Sequence, residues 1–257
     1  IASNLPALQS SRGSSREVPL GELGGAFYLL AGSYLVRMDG TPGGTTLVAE
    51  VPRSSHENAR GAMMNGRIYF AADRSIWRSD GTSAGTERFW TTQSIGDSDL
   101  AVVGNTLFFG WPRGELWKTD GTVPGTTLVK DVPLDSTHGD PILLGGRNGV
   151  VYFGGQDAEC DTVLWRSDGT PDGTRPIAAL SRQPECPSPL SYQPSPVATV
   201  GSHLYMDLDD GVHGLEVLER ALDQQARECR GLVGERGRPL AVDPREVEQL
   251  IEAGARK

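Results

Sequence analysis

The side chains that could do chemistry are few and scattered. His56, His138, His203 and His213 are the only histidines, one to a region, and none has a second ligand at metal-binding spacing. There is no His-Glu-x-x-His, no phosphate-cradling glycine loop and no Cys-x-x-Cys pair. The densest carboxylate run is Asp207-Leu208-Asp209-Asp210-Gly211. Asp207, Asp209 and Asp210 have the oxygen chemistry of a calcium loop, but the bidentate Glu of such a loop is missing, so a polar hairpin tip is the competing reading. Two tryptophans, Trp90 and Trp111, and the polar stretch Asp135-Ser136-Thr137-His138-Gly139-Asp140 complete the candidates. Trp90 is expected in a closing strand and Trp111, just before Pro112, at a hairpin tip, where a tryptophan offers a platform for a sugar ring or a partner side chain. His138 and Asp140 are the ligand-binding candidates of the polar stretch. No catalytic residue is assigned, and no cofactor is expected apart from the calcium alternative.

These residues hang on a repeat. Leu116-Trp117-Lys118-Thr119-Asp120-Gly121-Thr122, with Gly125-Thr126 following, returns as Ile76-Trp77-Arg78-Ser79-Asp80-Gly81-Thr82 and as Leu164-Trp165-Arg166-Ser167-Asp168-Gly169-Thr170. A worn first copy runs Leu35-Val36-Arg37-Met38-Asp39-Gly40-Thr41, and a fifth keeps only Gly214-Leu215-Glu216-Val217-Leu218. Asp-Gly-Thr between two apolar runs predicts a hairpin, with Asp39, Asp80, Asp120 and Asp168 accepting from backbone N–H groups inside the turn. A cation at each turn is the other reading, and one carboxylate per loop falls short of the six to eight or so oxygens calcium takes.

A second phrase precedes each copy: a two-residue turn, one variable residue, an apolar residue and an aromatic. Its aromatics, Tyr28, Tyr69, Phe108, Tyr152 and Tyr205, are separated by 41, 39, 44 and 53 residues, a period suited to a four-stranded blade. In the third unit the strands are expected at 100–103, 106–110, 115–119 and 127–132. Apolar runs on both faces fit strands sandwiched between neighbouring sheets, with Trp77, Trp117 and Trp165 as core.

Leu/Ile-Trp-x-x-Asp-Gly-Thr-x-x-Gly-Thr resembles the ELWxxDGTxxGT, or hyalin-like, repeats of secreted and surface proteins of bacteria. Three copies match closely, and only Glu115-Leu116-Trp117 keeps the leading Glu. The resemblance implies a β-propeller-like architecture and no defined activity. The expected fold is all-β, a propeller of about five four-stranded blades with a short helical C-terminal tail. Residues 1–18 form an N-terminal arm, 19–218 the propeller and 219–257 the tail.

The tail is expected to begin as helix over 219–230. A second helix starts at Asp243-Pro244-Arg245-Glu246 and carries Val247, Leu250 and Ile251 on one face, a stripe that docks on the propeller or on a partner. The fifth unit lacks a closing strand, which the arm around Leu5–Leu8 or the segment 239–244 would supply. Cys160 and Cys186 flank the Trp165 hairpin and are expected to pair, implying an oxidising compartment, with Cys229 taking one of them as the alternative.

The formal charge of −9 and the absence of a Lys/Arg cluster argue against nucleic acid as a partner. No apolar run is long enough to cross a membrane as a helix. A chain opening on Ile1 is expected to be a processed or trimmed product. The expected function is a non-catalytic binding or scaffold module, extracellular, cell-surface or periplasmic, with a glycan or surface protein as ligand. A propeller enzyme of the glycosidase or lyase class and a docking subunit held by the tail are the alternatives.

Overall fold

A computed structural model describes residues 17–52, 61–73, 75–91, 100–111, 114–134, 141–156, 162–181, 195–200, 203–209, 215–221, 230–231, 233–234 and 238–239. The repeat unit is a four-stranded antiparallel meander. The first sheet comprises β1 (Glu17–Leu23), β2 (Ala26–Ala31), β3 (Tyr34–Met38) and β4 (Thr45–Glu50); the second β5 (Ala62–Met64), β6 (Arg67–Ala72), β7 (Ser75–Ser79) and β8 (Glu87–Thr91). The third is β9 (Leu100–Val103), β10 (Thr106–Trp111), β11 (Glu115–Thr119) and β12 (Thr127–Asp131); the fourth β13 (Ile142–Arg147), β14 (Val150–Gln156), β15 (Thr162–Ser167) and β16 (Arg175–Ser181). The fifth is β17 (Ser195–Val200), β18 (His203–Asp209), β19 (Leu215–Ala221) and β20 (Arg230–Gly231), followed by the two-stranded pair β21 (Val233–Gly234) and β22 (Arg238–Pro239).

The turn chemistry accounts for the meander. First and second strands are joined by two-residue turns in which Asn65 and Asn148 take positive φ (52° and 50°) ahead of Gly66 and Gly149, the left-handed conformation such hairpins require. In the first four sheets the third and fourth strands are joined by the Asp-Gly-Thr loops. In four sheets that pairing contains a bulge just before the tryptophan or its substitute, at Leu35/Val36, Ile76/Trp77, Leu116/Trp117 and Leu164/Trp165. Each bulge adds right-handed twist, and the tryptophans that follow three of them pack on the preceding sheet.

The sheets stack face to face in chain order, β1 lying against β5, β5 against β9, β9 against β13 and β13 against β17. The core is therefore a set of seams between sheets. Tyr28, Leu30 and Leu35 of the first sheet pack on Ile68, Phe70 and Trp77 of the second. Tyr69, Ile76 and Phe89 of the second pack on Leu107, Phe109 and Trp117 of the third, and Phe108, Leu116 and Val129 on Val151, Phe153 and Trp165 of the fourth. This is the layered, radial packing of a β-propeller. The glycine of each Asp-Gly-Thr loop lies where an added Cβ would meet the aromatic of the preceding sheet: Tyr28 at Gly81, Tyr69 at Gly121, Phe108 at Gly169. At Gly40 that space is open, and Phe27, which holds the register position of the fully buried Ile68, is 42% exposed.

Two boundaries differ from the sequence expectation. Glu17 and Val18 belong to β1 rather than to an arm. Glu219, Arg220 and Ala221 extend β19 instead of starting a helix, because strand pairing with β18 runs on to His203↔Ala221. The fourth strand of the fifth sheet is β20, through Leu218↔Gly231 and Glu219↔Arg230, a segment that neither closure candidate included. Residues 1–16, 222–229 and 240–257, which carry the Leu5–Leu8 patch and the segment expected to form the second tail helix, lie outside the described residues, as do Cys160, Cys186 and Cys229. No described helix is long and apolar enough to cross a membrane.

Candidate functional site

The Asp-Gly-Thr loops are structural in their hydrogen bonding. Asp120 Oδ1 accepts from Thr122 N at 2.8 Å and Thr122 Oγ1 at 2.7 Å, while Thr122 Oγ1 accepts from Gly125 N at 3.0 Å. Asp80 and Asp168 do the same with Thr82 and Thr170, and Asp39 with Thr41. Hydrogen bonds first from the Thr hydroxyl and then from the Thr amide hold all four carboxyls below the ordinary Asp value. Beneath each later loop a buried hydroxyl caps the glycine amide. Ser79, Thr119 and Ser167 each accept from Gly N at 3.0 to 3.1 Å and pair with Thr86, Thr126 and Thr174 at 2.7 to 2.8 Å. Sequence reasoning passed over these hydroxyls, although the recurring Ser/Thr before Asp-Gly was the signal.

Ser83 completes a Gly81-x-Ser83-x-Gly85 string, the spacing of a hydrolase nucleophile elbow. It is exposed in the loop between β7 and β8, where a strand follows instead of the helix an elbow requires, so that reading has no support.

Trp90 and Trp111 come together. Trp117, in the middle of β11, lies 5.4 Å from Trp111 (ring centroids, interplanar angle 32°), 6.3 Å from Trp90 (46°) and 6.4 Å from Phe109 (20°, stacked). Trp111 is the last residue of β10, half-buried against Trp117, and so is not a free hairpin tip. Trp90 reaches across the seam from β8 of the second sheet, with its indole N–H buried and without an acceptor. Trp117 Nε1 donates to Glu115 Oε2 at 2.8 Å. Glu115 is opposite Trp111 on one side and Asp131 on the other, so two carboxylates border the aromatic group.

The repeat does not ask for this cluster. The register position of Trp90 holds Ala49, Lys130 and Ala178 in the first, third and fourth sheets; that of Trp111 holds Ala31, Ala72 and Gly155. At the previous seam, Trp77 is instead covered by the Arg88 guanidinium, 5.4 Å from its ring, and donates Nε1 to Ala72 O at 3.1 Å. Trp165 is 7% exposed and stacks on Phe153 at 6.1 Å. All three repeat tryptophans thus sit in seams.

His138 and Asp140 lie outside the described residues, as do Asp210, His56 and His213. Asp207 and Asp209 fall within β18, opposite Val217 and Leu215, so the backbone there is strand where a calcium loop or a hairpin tip was expected. Among the described residues no three His, Cys, Asp or Glu side chains gather as a metal site.

No protein-family model matches the chain, and no curated protein matches it. Solved structures are similar to it. The computationally designed Ika8 protein is 13% identical with a TM-score of 0.54, over 83% of this chain and 61% of that one. The putative TolB from Agrobacterium tumefaciens is 12% identical with a TM-score of 0.56, over 87% of this chain and 84% of that one. The chain therefore spans less than two thirds of the designed protein's length. At such identities the likeness shows a fold, the β-propeller, and nothing about activity.

Proposed function

We propose that this chain is a non-catalytic binding module that takes a glycan at the seam between its second and third sheets. The observation that supports it is the convergence of Trp90 and Trp111, residues the repeat elsewhere fills with Ala, Lys or Gly, on Trp117. Half-buried indoles present flat apolar faces that stack on the C–H faces of a sugar ring, while Glu115 and Asp131 accept hydrogen bonds from its hydroxyls. The same carboxylates repel uronic acids, so the ligand is a neutral glycan. Exposure to such glycans agrees with the extracellular or cell-surface setting that the hyalin-like resemblance implies. Calorimetric titration with neutral oligosaccharides, repeated in the presence of a polyuronate, tests the reading: saturable binding of a neutral sugar that the polyuronate does not displace is expected, and failure of every neutral glycan would overturn it.

A further inference from the structure

The seam between the fourth and fifth sheets departs from the repeat in a second way, and the departure is cationic. In the two seams before it, the residue after the tryptophan ties one sheet to the next: Arg78 Nη1 donates to Gly121 O at 2.9 Å and Lys118 Nζ to Gly169 O at 2.8 Å. Arg166 holds that position in the fourth sheet, opposite Tyr152 as Arg78 is opposite Tyr69. The next acceptor would be a fifth Asp-Gly-Thr glycine. Register places Glu219 opposite Tyr205, so the residues that follow in the fifth copy are Arg220-Ala221-Leu222-Asp223 in place of x-Asp-Gly-Thr. The acceptor turn has gone from the sequence, and Arg166 Nε is buried with no hydrogen-bond partner.

Two more arginines share that face. Arg175 stands directly opposite Arg166, where the first three sheets have Thr46, Glu87 and Thr127. Glu87 in that position binds its own arginine, Arg78 Nη2, at 2.6 Å, whereas two arginines opposite each other repel. Arg147 replaces Leu23, Met64 and Val103, and its Nη1 is also buried without a partner. Asp168, whose carboxyl feels the Arg166 charge, is already bonded through Oδ1 to Thr170. Buried guanidinium N–H groups without acceptors are costly unless an anion meets them.

We infer that Arg147, Arg166 and Arg175 form an oxyanion site on the fifth-sheet side of the fourth sheet. It takes the phosphate, sulfate or carboxylate group of a ligand. Planar guanidiniums suit such groups through paired N–H donors. The site is separate from the tryptophan cluster and independent of the glycan reading.

The test is thermal melting and calorimetry of the full chain with inorganic phosphate, sulfate or acetate against chloride at matched ionic strength. At about ten times Kd an oxyanion raises Tm by about 3–5 °C over chloride. Arg147→Met, which restores the residue the second sheet carries, removes the shift while leaving a cooperative melt in chloride. Arg175→Thr weakens the shift at least severalfold. The three oxyanions distinguish which group the site prefers. No oxyanion-specific shift, as when a carboxylate of the chain itself fills the place, overturns the inference, and so does a shift undiminished in Arg147→Met.

Discussion

Lys118 Nζ donates at 2.8 Å to the carbonyl oxygen of Gly169, a residue 51 positions further on and in the next sheet. The bond closes a seam from outside its apolar core, and Arg78 and Gly121 repeat it one seam earlier. Hydrogen bonds that carry a charge contribute more than neutral ones, though partial exposure reduces the effect here. Lys118→Met is expected to destabilise the chain by about 1 kcal/mol, or about 2–4 °C in Tm for a domain of this size, measured by thermal melting. An unchanged Tm would show that the tie contributes nothing beyond the packing around it.

Gly125 stands against the Asp120 carboxylate so closely that a Cβ would collide with both its oxygens. Gly125→Ala must push the carboxylate off Thr122 and is expected to cost about 1–3 kcal/mol. Urea denaturation would show a lower midpoint with an unchanged m-value. Gly43, with open space around it, is the control: Gly43→Ala is expected to leave the midpoint within error.

The four loop carboxyls titrate below their ordinary value of 3.8 because Thr hydroxyls and amides bond the charged form. A carboxyl with a depressed folded-state pKa adds stability that is fully present above its unfolded pKa and is lost as pH falls through the folded one. Acid destabilisation should therefore begin near pH 4 and deepen below it. Asp120→Asn keeps an oxygen acceptor for Thr122 and removes one titrating group. Its stability should fall less steeply than the parent's from pH 4 downwards, and parallel curves would contradict the assignment.

Much of the architecture was readable from the chain, and the reason is local. Asn-Gly and Asp-Gly-Thr dictate their own turns, so the strands of the third sheet fall within a residue of where the pattern puts them. What escaped was information held between distant segments. The bulge at Leu116/Trp117 has no residue signature. The Lys118–Gly169 tie joins two copies that look alike and so attract no notice. Trp90 and Trp111 stood out singly for breaking the repeat, but their meeting at Trp117 depends on which face of one sheet covers which face of the next. The end of the fifth unit misled because helix-favouring residues at 219–221 are held in strand by their partners in β18.

The hydroxyl pairs under the loops make a prediction of their own. Thr126 is buried, and its Oγ1 lies 2.8 Å from both Thr119 Oγ1 and Thr122 O. Thr126→Val preserves shape and removes its contacts with both, at a cost of about 1–3 kcal/mol, while Thr119 Oγ1 keeps the Gly121 amide. The Thr119→Val/Thr126→Val double variant should lose less than the sum of the two single ones, since each single change already removes the bond the two hydroxyls share. Strict additivity in a denaturation cycle would argue against the pair acting as a unit.

The central claim is that the tryptophans at the seam of the second and third sheets hold the ligand, and the most direct measurement is a paired calorimetric titration of the parent chain and Trp111→Ala with the neutral oligosaccharide that binds best. Alanine is what the first and second sheets carry at that register position, so the variant should still fold and melt cooperatively. The account predicts a loss of affinity of about tenfold or more, equivalent to about 1.4 kcal/mol. Equal affinities in the two proteins, with folding intact, would contradict it.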